Sequence, residues 1–129
     1  MLKPLNGIAL IAPFSKSQCL SAVGETLLCL DMEITISEFR LSLQCSVVPD
    51  RYSLIALLMV LPELNKKVAE LPVCQQRFAD TGHQYELAWV EMDSLNELAL
   101  FYAGVTVNAQ WGVEFEYSEA NGWEFGGYC

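Results

Sequence analysis

The sequence predicts an α+β fold, a mostly antiparallel sheet with helices packed on one face. Three observations carry this. Hydrophobic residues make up 53% of the 129 residues and the mean hydropathy is +0.28, so a packed core is within reach. Apolar residues recur with period two in several stretches, the mark of half-buried strands. The run Tyr52–Leu61, YSLIALLMVL, is apolar on nearly every side, which asks for cover on every side and places it through the middle of the core. A chain of this length fits one domain, 1–129, able to bury roughly two thirds of its unfolded surface.

The elements follow in order. Gly7–Ala12 reads as a short buried strand. Ser15 and Gln18 have capping-box spacing, so a brief helix starts there, with Phe14 placed to staple onto Cys19 and Gly24 placed to end it. From Thr26 to Ile36 the apolar positions are mostly even, and from Phe39 to Val47 they are odd. Two strands with a tight turn or bulge at Ser37-Glu38 explain the switch of parity. Asp50 is a suitable N-cap for a helix through the apolar run, with a central strand as the competing reading. Pro62 and Pro72 each suit a first helical position, which predicts helices over 51–61, 62–71 and 72–79.

The strand at 84–91 comes next, with Tyr85, Leu87 and Trp89 alternating with Glu86 and Ala88. Ser94 and Glu97 again have capping-box spacing and predict a helix through Tyr102. Val105 to Tyr117 alternates cleanly over thirteen residues, about 40 Å as one strand, so a bend near Asn108 or Gly112 is expected. Asn121-Gly122 turns the chain into a closing hairpin at Trp123-Glu124-Phe125. The predicted order is β-α-β-β-α-β-α-β-β, counting the 51–79 helices as one unit. Its first part follows the ferredoxin-like element order, in order only.

Composition excludes several functions. The longest apolar run is about ten residues, where a membrane-spanning helix needs ~20. Near the N-terminus Asn6, Pro13 and Lys16 interrupt the apolar stretch and no small-x-small site follows, so no secretory signal is expected. The five cysteines, Cys19, Cys29, Cys45, Cys74 and Cys129, contain no C-x-x-C and three sit among aliphatic residues. That pattern suits a reducing cytoplasm, with no metal site and no cofactor expected. Cys129, in a tail expected to be mobile, is the thiol expected to be most open to oxidation. Cys74 and His83, the lone histidine, invite a nucleophile-base reading, but no thiolate-stabilising neighbourhood or orienting third group is legible. No catalytic residue is expected.

Charge is the informative feature. The net charge is −9, and residues 78–129 hold nine acids and no Lys or Arg. The same segment holds eleven of the fourteen aromatics. Direct nucleic-acid binding is disfavoured, because phosphate contacts need clustered Lys and Arg. Glu114 and Glu116 share a strand face, Glu124 lies across the hairpin, Glu119 sits near its turn and Glu86 belongs to the preceding strand. Trp123 and Tyr128 come last, near an edge, where an aromatic ringed by carboxylates anchors an Arg/Lys-rich surface. Asp93 and Glu97 are explained by the predicted helix start alone.

These residues predict a small acidic cytoplasmic protein that occupies a basic surface of a partner. An immunity or inhibitor protein against a basic toxin such as a nuclease has this character, and so does a nucleic-acid mimic. Two other readings stand beside it. One is a ligand-binding or enzymatic domain with a pocket between the sheet and the 51–79 helices. The other is a homo-oligomer, a homodimer in its simplest form, that pairs strand edges.

Overall fold

The structure is a computed structural model and describes residues 2–129. Helix α1 (Lys16–Gly24) precedes the hairpin β1 (Asp31–Ile36) and β2 (Phe39–Cys45). Two helices follow, α2 (Arg51–Ala69) and α3 (Pro72–Thr81). The chain then makes four consecutive strands, β3 (Tyr85–Ser94), β4 (Glu97–Gly104), β5 (Gln110–Ser118) and β6 (Gly122–Tyr128). The six strands form one sheet in chain order. Every neighbouring pair is antiparallel except β2 and β3, which run parallel. A parallel pair needs a long crossover, and α2 and α3 supply it. The α+β class is as the sequence predicts.

Local signals explain most of the helix ends. Ser15 and Gln18 form the expected capping box. Asp50 accepts the Ser53 N–H at 2.8 Å, which also holds its carboxyl below the usual carboxylate range. Pro72 begins α3, and Gly82 ends it at φ +67°. The Ser37-Glu38 turn joins β1 to β2, with Ser37 at φ +56°.

Period two sorts each strand into two faces. Met32, Ile34 and Ile36 of β1 are buried while Asp31, Glu33 and Thr35 are exposed. Leu41, Leu43 and Cys45 repeat the pattern in β2. Val90, Leu98, Leu100, Tyr102, Val113 and Phe115 continue this inner face. Leu54, Leu57, Leu58, Leu61, Leu64 and Val68 of α2 close the core against it.

Several expectations are corrected. The strand expected at 7–12 reduces to isolated bridges, Leu5 with Ile8 and Ile8 with Tyr85, so the ferredoxin-like order loses its first strand. The chain turns there through Asn6 and Gly7, both at positive φ. Gly24 is the last residue of α1, and Glu25 caps it in the right-handed region. Pro62 lies inside one continuous helix instead of starting a second. Proline there lacks an N–H to donate to Leu58 O, at a cost of about 3 kcal/mol. Burial of Pro62 itself and of Leu61, Leu64 and Val68 offsets this.

The helix expected from Ser94 to Tyr102 is β4. Ser94 and Glu97 make a hairpin turn in which the Ser94 hydroxyl accepts the Asn96 N–H at 3.2 Å. Strand partners on both sides, β3 and β5, decide for strand. The long alternation from Val105 contributes only Gln110–Ser118, because Gly104 N–H folds back to Ala109 O at 2.9 Å. The apolar run is not covered on every side. Tyr52 is 85% exposed and Met59 44%, because α2 lies as an outer layer on the sheet.

Candidate functional site: the open sheet face

The helices cover one face of the sheet, and the strand registers define what the other face presents. Glu97 pairs with Glu116, and Glu116 pairs with Glu124. Paired residues point to the same side with Cβ atoms about 5 Å apart. Three carboxylates therefore stand in a row across β4, β5 and β6. The adjacent row runs across all six strands as Asp31, Gln44, Glu91, Ala99, Glu114 and Gly127. No Lys or Arg belongs to β3–β6. Arg40 on the β2 part of this face is engaged with Glu33, the one ion pair among the described residues.

An aromatic platform borders the second row. Trp89 and Phe101 are strand partners on the open face, stacked at 4.6 Å with planes 3° apart. The Trp89 indole N–H donates to Glu91 Oε2 at 3.0 Å. Phe101 lies over Gly112, where a Cβ would come within 2.7 Å of its ring. Both aromatics are half-buried, so the platform offers flat apolar surface beside carboxylates.

The expected site residues divide. Glu114, Glu116 and Glu124 are brought together on this face, and Glu119 stands exposed at the β5–β6 turn. Glu86 is on the same side but at the far end of β3, opposite Ala103. Trp123 and Tyr128 pair with the inward-side residues Tyr117 and Val113, so both point to the helix side. Trp123 is half-buried against the core, and Lys67 Nζ donates to its carbonyl at 3.2 Å. Tyr128 is 50% exposed beside Phe125. The tail is not free, since Cys129 and Gly112 exchange two backbone hydrogen bonds of 3.0 Å.

Glu91, Glu97, Trp89 and Phe101 are the members the sequence reading missed. For Glu97 and Phe101 the signal was present as Glu97, Ala99, Phe101 alternating with Leu98, Leu100, Tyr102, but the Ser94 capping pattern outweighed it. Trp89, expected on the face of Tyr85 and Leu87, is carried to the open face by the register shift between Leu87 and Trp89.

Cys129 sits on this face, and its thiol is pushed up by burial and then by Glu114, Glu91 and Asp93. A raised thiol holds less thiolate, so Cys129 is exposed yet poorly nucleophilic. Disulfide exchange at Cys129 near neutral pH is therefore slower than with free cysteine, and Glu114→Gln accelerates it. Timed labelling with a chromogenic disulfide reads this, and a rate equal to free cysteine in both forms refutes it.

Cys74 and His83 line one narrow hollow with Arg77, Trp111 and Tyr85. The hollow is too tight to admit a water molecule. Burial raises the Cys74 thiol, and nearby Arg77 only partly counters that, so it is no ready nucleophile. Arg77 lies 4.6 Å from the Trp111 ring and 5.7 Å from Tyr85. The space between the sheet and α2 is about 160 Å³, lined by Leu57, Val60, Met92, Leu98 and Trp123, with neither a carboxylate nor His83. Ordinary ligand pockets start near ~300 Å³. Among the described residues no three His, Cys, Asp or Glu side chains are grouped to hold a metal ion, and no helix is long and apolar enough to cross a membrane. No family model, curated protein or solved structure matches this chain.

Proposed function

We propose that this is a binding protein whose open sheet face occupies a basic surface of a partner protein, in the manner of an inhibitor or immunity protein or of a nucleic-acid mimic. The observation that carries the reading is the row Glu97, Glu116, Glu124. Like charges directly opposite in a sheet destabilise it. Such a row with no interleaved cation is spared that cost when a cationic surface lies against it. The Trp89–Phe101 platform adds a rigid aromatic contact suited to guanidinium groups.

The test is affinity capture with the intact chain from its source cells, beside a variant carrying Glu97→Gln, Glu114→Gln, Glu116→Gln and Glu124→Gln. One basic protein retained stoichiometrically is expected, with affinity falling as salt rises. The variant, whose fold should be equal or more stable, is expected to bind about tenfold or more weakly. Equal retention by both forms, or no basic protein retained, ends the reading.

A further inference from the structure

The sheet is incomplete at one place. β2 pairs with β3 only at Leu43 with Val90, Gln44 with Glu91 and Cys45 with Met92. The same register carried backward would set Phe39 beside Glu86 and Leu41 beside Ala88. No ladder pairing joins those residues, so the backbone rungs between the two strands stop there and leave a fork in the ladder. Near its mouth, Tyr85 N–H donates to Gly7 O at 2.7 Å and Tyr85 O accepts the Ala9 N–H at 3.0 Å. Tyr85 thus turns both backbone groups away from β4. By the period of a strand, Leu87 turns its own N–H and C=O the same way, into the fork.

The segment that begins this pairing does not continue it. Ala9 O accepts from Asn65 Nδ2 at 2.9 Å instead of from Leu87. Leu10 to Phe14 then run outside any helix or strand, with no backbone–backbone hydrogen bond to the described residues. Phe14 is nonetheless buried, and Leu10 and Ile11 are half-buried. Leu10 to Pro13 are half-buried or exposed, so their backbone groups, unpaired within the described residues, are open to a partner. Between it, the Ser37–Phe39 turn and Leu87 lies a cleft of about 510 Å³. This is the size of an ordinary binding pocket. Its floor is apolar, with Leu10, Ile11, Phe14, Phe39 and Leu87. Glu38 and Glu86, both exposed, stand at its rim, and no Lys, Arg or His lines it.

We infer that this cleft is a binding site for an extended segment of another polypeptide, apolar in its middle and carrying a basic side chain. Backbone groups on both walls offer the rungs of a strand, the floor takes alternate apolar side chains, and Glu38 and Glu86 select the cation. The inference is independent of the open face, since none of the paired carboxylate rows lines the cleft.

The test uses the isotopically labelled intact chain and a defined probe, the acetylated and amidated peptide Lys-Val-Thr-Val-Lys. The expected result is amide shifts at Ile11, Phe39 and Leu87 and slowed hydrogen exchange at Ile11 and Leu87. N-methylating the central residue of the probe should weaken binding about fivefold or more, the worth of one or two backbone hydrogen bonds. Glu38→Gln with Glu86→Gln should weaken it severalfold and blunt its salt dependence. Three outcomes overturn the inference: no shift at millimolar peptide, shifts confined to the open face around Glu116, or equal binding by the N-methylated peptide.

Discussion

Asn65→Ala lowers the unfolding free energy by about 3 kcal/mol, the largest polar effect expected in the chain. Asn65 is fully buried on α2 and is the one buried polar or charged residue among those described. Its Oδ1 accepts the Tyr102 hydroxyl at 2.6 Å, and its Nδ2 donates to Ala9 O at 2.9 Å. One side chain thus ties a helix, the centre of the sheet and the N-terminal segment together. Alanine leaves the hydroxyl and the carbonyl unpaired and opens a void. Tyr102→Phe keeps the shape and orphans only Oδ1, so it should cost about half as much. Chemical denaturation of the three forms reads both effects, and a loss under about 1 kcal/mol for Asn65→Ala would show that water replaces the link.

The same pair sets an alkaline limit. Burial pushes the Tyr102 hydroxyl well above its ordinary value of 10.0. The unfolded chain releases that proton near pH 10 and the folded chain does not. Stability is therefore intact below that pH and is lost as pH rises beyond it. The buried thiols Cys19, Cys45 and Cys74, also raised by burial, begin the decline from about their ordinary 9.0.

Gly7→Ala costs at least about 2 kcal/mol. Gly7 sits at φ +78°, and a Cβ there would lie 2.5 Å from His83 O and 2.7 Å from Phe78 Cδ1. The carbonyl of His83 is backbone and cannot swing aside. Relieving the clash moves the Gly7 carbonyl off Tyr85 N–H and loosens one of the two backbone hydrogen bonds that hold the N-terminal segment to Tyr85. Gly82 is the control, at φ +67° with nothing within 4 Å of the added atom. Gly82→Ala meets only the left-handed backbone penalty of about 1 kcal/mol. Equal losses at the two positions would mean that the close approach at Gly7 is not what matters.

Short-range physics was legible in the sequence. The Ser15 box, the Asp50 cap, Pro72 and the parity switch at Ser37-Glu38 each involve residues a few positions apart, and each signal is complete within its own window. The face shared by Glu114 and Glu116 follows from period two alone, and Asn121-Gly122 brings Glu124 across. Where local signals conflicted, the sequence by itself was undecided. Ser94 to Glu97 satisfies a capping box and a hairpin turn equally well, and only partners on both sides of β4 make it a strand. Pro62 argues for a helix start, and only the core packed on both sides of it carries the helix through. Gly7–Ala12 looks like a strand because it is apolar, but a strand needs a neighbour, and Asn65 takes the carbonyl that would have continued the pairing.

The carboxylate row is the clearest division between the two. The charge of residues 78–129 is a property of composition and was plain from the start. That Glu97 joins Glu116 and Glu124, that Trp89 meets Phe101, and that Trp123 turns inward were decided by the tertiary structure. Strand register sets these distances, and register is fixed by burying Leu98, Leu100, Val113 and Phe115 together on the helix side.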